Sequence, residues 1–126
     1  MSLGNAPVIQ STTHNAPFPA SSAMGWTLVA GTYDQTTEDV YQGGSPTSAK
    51  HHVIVLDTTA GALYLTDDGN GSVKTTPLTY AASGAMITVS LACGGSVMEA
   101  LGYTATPTGL VMYDPVTKRV ETYAKQ

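Results

Sequence analysis

Residues 86–92 alternate in polarity: Ile87, Val89 and Leu91 fall on one side, Thr88 and Ser90 on the other. A period of two predicts a β-strand with one buried face. The same pattern predicts strands at 97–106, 110–113 and 119–124. Cys93-Gly94-Gly95-Ser96, Pro107-Thr108-Gly109 and Asp114-Pro115-Val116-Thr117-Lys118 break the runs between them. Upstream, 24–33 reads as a strand with Trp26, Leu28 and Ala30 on one face and a bend at Gly31. Residues 50–57 are apolar on both faces from Val53 to Leu56, the mark of a central strand. Further strands are expected at 62–66 and 72–80, the latter with Pro77 at an edge or bulge. Asp67-Asp68-Gly69-Asn70-Gly71 is the strongest turn signal in the chain. The polar stretch 34–48 reads as a loop, with at most a short strand or helical turn at 38–42.

These strands are joined by hairpin-length turns, with no amphipathic helix between them. Short strands recurring every 8–14 residues or so indicate a sandwich or a barrel. Sequential hairpins without a long crossover favour the barrel, whose closure also removes exposed strand edges. The expected fold is all-β: a single small antiparallel up-and-down meander barrel of about eight strands over residues 24–126. An extended N-terminal tail, residues 1–23, precedes it. Pro7, Pro17, Pro19 and many small polar residues give that tail little to bury. It reads as a flexible tether, or as an arm that plugs a cavity or pairs with a neighbouring subunit to build a homo-oligomer.

Composition narrows the partners. Five Lys and Arg in 126 residues, with a formal net charge of −4, cannot neutralise a run of phosphates, so nucleic acid is excluded. The same scarcity argues against docking on anionic membranes. No apolar run approaches the roughly 18 residues of a transmembrane helix. The single cysteine, Cys93, forms no intrachain disulfide and reads as a small buried side chain at a strand end. No export signal is legible after Met1-Ser2-Leu3. The low charge and abundant Thr nonetheless fit a secreted or periplasmic, envelope-associated protein.

The chemistry-bearing residues make no recognised catalytic or cofactor motif. His51 and His52 are neighbours on a strand, so they point to opposite faces and cannot share one metal ion. Asp67 to Gly71 begins like a calcium loop, but the twelfth position is Leu78 rather than Glu, so a hairpin turn is the expectation. Glu99, with Cys93 or with a His, is a conceivable acid/base pair or activated thiol, yet nothing in the sequence places a base near either. No Gly-x-Ser-x-Gly elbow surrounds any serine. The expectation is a non-enzymatic protein without metal or cofactor. Seven of nine aromatic residues are Tyr, most on predicted strands. A Tyr ring buries a large surface and keeps a polar tip, which suits a cavity mouth or a partner surface.

Gly25-Trp26-Thr27-Leu28-Val29 followed by Gly31-Thr32-Tyr33 resembles the opening of small bacterial secreted lipocalin-like proteins. The alternating run from Ile87 to Cys93, Tyr103-Thr104-Ala105-Thr106, Leu110 to Tyr113 and Val120 to Lys125 are similar to their C-terminal half. The resemblance implies a calycin-like barrel, export and a cavity for a small apolar ligand. Trp26, Tyr64, Tyr103, Tyr113 and Tyr123 are then the expected ligand-binding residues, and Arg119 is expected to stack on Trp26 at a structural floor. The alternative is a structural or interaction protein, a surface or virion component, with a filled barrel that acts through its tail and tyrosine-rich edges.

Overall fold

The computed structural model describes residues 3–20, 22–92 and 97–126. Its strands are β1 (Gln10–Thr13), β2 (Gly31–Val40), β3 (His52–Asp57), β4 (Ala62–Asp67), β5 (Lys74–Ser83), β6 (Met86–Leu91), β7 (Val97–Thr106), β8 (Gly109–Asp114) and β9 (Arg119–Lys125). From β2 to β9 each strand pairs antiparallel with the next, and β9 returns to pair with β2. The result is a closed eight-stranded up-and-down barrel with β1 added outside it. At this strand number the interior is just wide enough for side chains or one small ligand. One face of each strand supplies the core: Ile54 and Leu56 of β3, Leu63 of β4, Ile87 and Val89 of β6, Leu101 and Tyr103 of β7, Leu110 and Met112 of β8. Among the described residues no helix is long and apolar enough to cross a membrane.

Strand β2 corrects the sequence-based expectation. The strand expected at 24–33 starts only at Gly31, and most of the loop expected at 34–44 is the rest of that strand. A bulge is the cause. Gln35 opposes Tyr123 and Thr37 opposes Thr122, so Thr36 is the extra residue. Tyr33 and Gln35 are buried before the bulge, Glu38 and Val40 after it. The phase of the alternation therefore slips by one, and two of its four buried residues are polar. Side chains hold the bulge: Gln35 Nε2 donates to Thr37 O at 3.2 Å and Thr36 Oγ1 donates to Thr122 O at 3.2 Å.

The stagger of a barrel leaves strand ends overhanging their neighbours, and the N-terminal chain covers two such overhangs. Strand β3 pairs only with residues 31–34 of β2, and the same edge is taken over at residues 37–40 by β1, in parallel. His14 N donates to Val40 O at 2.7 Å, Ile9 N to Lys50 O at 2.8 Å and Gln42 N to Ala16 O at 2.9 Å. His14 also stacks on Tyr41, and Phe18 meets Tyr41 edge-on. Strand β6 reaches only Gly102 of β7. Beyond it, Gly25 N donates to Tyr103 O at 2.7 Å, and Ala105 N donates to Gly25 O at 2.8 Å. Residues 7–18 thus lie along the barrel.

From Gly25 the chain crosses the end of the barrel to enter β2 at Gly31. Gly25 and Trp26 both take positive φ, 74° and 101°, a conformation that is an outlier for a bulky residue. Tyr103 Oη donates to Trp26 O at 3.1 Å, and Tyr33 Oη donates to Val29 O, so two interior tyrosines hold the crossing. Leu28 packs against the core from this side. The crossing closes one end of the barrel, which is called the floor below.

Candidate functional site

Tyr33, Leu56, Ile87, Tyr103, Ala105 and Leu110 pack the floor half of the barrel. Above them a cavity of about 180 Å³ remains. Its apolar wall is Ile54, Leu63, Leu65, Leu78, Val89, Leu101 and Met112. Its polar wall is His52, Glu99, Asp114, Arg119, Glu121 and Tyr123. The polar residues lie toward the end opposite the floor, because His52 and Arg119 open their strands and Asp114 closes its own. The space is smaller than the 300 Å³ or so where ligand pockets usually begin. It slightly exceeds the cavity of about 150 Å³ known to take up benzene. Tyr33, Tyr103 and Leu28 account for the small size by filling the half next to the crossing.

Four carboxyl groups and one guanidinium belong to this polar region. Glu38, only 1% exposed, accepts from Thr47 N at 3.2–3.3 Å. Burial, a hydrogen bond to Asp114 and the negative charges of Asp114 and Glu121 push Glu99 up to about 8, against the pull of Arg119. Burial pushes Asp114 upward too. The hydrogen bonds it receives from Glu99, from Thr117 and from Val116 outweigh that, and its carboxyl lies below the usual range. Two of those are backbone N–H groups, Val116 at 2.9 Å and Thr117 at 3.2 Å. At neutral pH the pair is therefore Asp114 ionised and Glu99 protonated. Burial, together with Asp114 and Glu38, raises Glu121 to about 7, again opposed by Arg119. The Arg119 Nη1 donates to Ser45 O at 3.2 Å. Its Nε is buried without a hydrogen bond, 3.9 Å from Glu121 Oε2. Burial, with the charge of Glu121 next, raises the Tyr123 phenol well above its ordinary value.

His52 has a defined tautomer. The Gln35 amide nitrogen donates to Thr37 O, so its oxygen is the atom 2.8 Å from His52 Nδ1. A carbonyl oxygen only accepts; Nδ1 therefore carries the proton and Nε2 is an acceptor. Burial is the main cause holding His52 below its ordinary value, so the ring is neutral.

The sequence-expected ligand residues separate in space. Tyr123 lines the cavity. Tyr103 is interior, but in the floor, with its hydroxyl on Trp26 O. Tyr64 and Tyr113 alternate with the inward residues of their strands and point outward. Trp26 is 75% exposed, over a surface groove formed with Met24, Thr104, Thr106 and Pro107. The stack of Arg119 on Trp26 is not formed. Arg119 begins β9, whereas Trp26 sits at the floor, where β9 ends. Lys118 instead lies 5.9 Å from the Phe18 ring. His51 and His52 do face opposite ways: His51 Nδ1 lies 3.0 Å from Pro7 O on the outside. Cys93 and its turn lie outside the described residues.

Sequence reasoning passed over Glu121, Asp114 and Gln35 as site residues. The signal was present for Glu121, which shares the face of Arg119 and Tyr123 on β9. Among the described residues no group of three or more His, Cys, Asp or Glu side chains is arranged to hold a metal ion. Compared with known proteins, the chain matches no family model, no curated protein and no solved structure.

Proposed function

We propose that this protein is a non-enzymatic, lipocalin-like binding barrel that holds a small, largely apolar molecule in its interior. The observation that carries this reading is the unfilled space between the packed floor and the polar residues, walled on one side by Ile54, Leu65, Leu78 and Val89. A structural barrel has no use for such a void, since each unfilled volume costs packing energy. The scarcity of charge, 11% of residues, fits export to the cell envelope or beyond. A two-dimensional amide NMR titration with toluene tests the binding reading. Shifts concentrated on β3, β6 and β8 are expected. An unchanged spectrum at saturating toluene favours the filled structural barrel instead. Native mass spectrometry of protein from its own host then shows whether a natural small molecule travels with it.

A second reading has one specific observation behind it. Glu99 and Asp114 share a proton with Glu99 as the protonated partner, and such unequal carboxyl pairs serve as general acids in enzymes. Assay of glycoside and ester substrates small enough for the cavity discriminates, because an enzyme turns over and a binding barrel does not.

A further inference from the structure

The polar wall specifies more than an apolar occupant. Four carboxyl groups, Glu38, Glu99, Asp114 and Glu121, face one guanidinium in and beside the cavity. Glu38 is engaged by Thr47 N, and Asp114 by Glu99 and the turn at 116–117. Arg119 is turned toward Ser45 O and Glu121. Among the described residues, Glu121 and His52 each keep an acceptor without a hydrogen bond on the cavity side. Glu121, 8% exposed, has only the 3.9 Å approach of Arg119. His52, also 8% exposed, has its Nδ1 occupied by Gln35 and its Nε2 free. These two are acceptors; the other unbonded position on this wall, Arg119 Nε, is a donor that is already turned to Glu121 at 3.9 Å. An ammonium group offers three donors and no acceptor, with a positive charge to offset the crowded carboxyls.

We propose that the occupant carries a protonated amine on a ring or short alkyl body, with the ammonium at Glu121 and the body against Ile54, Leu65, Leu78 and Val89. This rests on the reading of the cavity as a ligand site. Binding a cation at Glu121 drives the proton from its carboxyl. Besides burial, the charges that set that proton's affinity are Arg119 on β9, Asp114 on β8 and Glu38 on β2; Glu99 on β7 and Tyr123 on β9 feel the charge of Glu121 in turn, and His52 on β3 lines the same cavity. Amine affinity therefore rises with pH as Glu121 ionises.

Isothermal calorimetry with benzylamine, toluene and benzoate at pH 6 and pH 8.5 tests this. Benzylamine should bind about tenfold more tightly at the higher pH, from ionisation of a carboxyl near 7. It should release protons on binding, seen as a dependence of heat on buffer. Glu121→Gln should lose at least about tenfold in amine affinity together with the pH dependence, while toluene binding persists and reports an intact fold. Tighter binding of benzoate than benzylamine, or amine affinity that is flat or falls with pH, overturns the proposal. Toluene binding without benzylamine binding overturns it and leaves the binding barrel standing. Failure of both ligands removes the binding barrel, and the amine with it.

Discussion

Glu99 and Asp114, on adjacent strands β7 and β8, share one proton at the polar end of the barrel. Asp114 keeps the charge because the turn that follows it turns two backbone N–H groups onto its Oδ1, from Val116 and Thr117. Glu99 has no such support and holds the proton.

Stability should therefore fall as pH rises through neutrality. Glu99 and Glu121 bind protons more tightly in the folded state, about 8 and about 7, than the ordinary 4.5. Between about pH 4.5 and 8 the folded protein carries more protons than the unfolded chain, so the unfolding free energy declines with pH. Two groups work the other way: the contribution of Asp114 is lost only on acidification through its ordinary value and below, and His52, held below its ordinary 6.5, offsets part of the decline on the acid side of that value. The Tm should drop by at least about 5 °C from pH 5 to pH 8. Glu121→Gln should flatten that slope, and Glu99→Gln should flatten its upper half. A Tm that rises across this window contradicts the assignment.

Gly25 is where the fold tolerates least change. Its φ is +74°, and a Cβ built there stands 2.5 Å from Gly84 O, a backbone atom. Its N–H and C=O both bond to β7, so the segment cannot step aside. Gly25→Ala should cost about 3 kcal/mol, from backbone strain plus a clash. Gly43 supplies the control: its φ is +83°, but nothing lies within 4 Å, so Gly43→Ala should cost only about 1 kcal/mol. Urea denaturation of both variants gives the comparison. Equal costs would mean that the contact with Gly84 is not made.

Legibility followed the regularity of alternation. β6, β8 and β9 were readable because apolar residues such as Ile87 and Val89 occupy every second position next to Thr and Ser. β2 was hidden because the bulge at Thr36 shifts the phase and because Gln35 and Glu38 are turned inward. The polar wall was hidden for the same reason: a Glu in an alternating strand normally marks the solvent face. Trp26 misled in the opposite sense. It was expected on a strand face as a ligand-binding residue, but the strained turn at Gly25 and Trp26 gives its carbonyl, not its ring, to the interior.

The N-terminal arm should contribute to stability although all four residues of β1 are exposed. It satisfies the β2 edge at residues 37–40, which β3 leaves open, and His14 Nε2 reaches Asp39 at 2.8 Å. Deleting residues 1–14 should cost about 2 kcal/mol, from several backbone hydrogen bonds and the half-exposed contact of His14 with Asp39. It also bares an unpaired strand edge, so self-association should increase. Thermal denaturation and size-exclusion chromatography check the two effects. A monomer with unchanged Tm would show that the edge needs no cover.

Filling the cavity separates its packing role from its binding role. Val89 lines the cavity on β6, where it pairs across the ladder with Glu99 of β7, and is 7% exposed. Val89→Phe places a ring into the space of about 180 Å³. Overpacking a filled core usually costs about 1–3 kcal/mol, but here the added ring occupies space that is already there. The variant should stay within about 1 kcal/mol of the parent, because ring burial offsets the remaining strain. It should lose toluene binding, since the space is taken. Denaturant unfolding reads the first effect and the NMR titration the second. A loss of 3 kcal/mol or more would show that the interior around Val89 is closed in solution. Toluene shifts that survive unchanged would place the ligand somewhere other than this cavity.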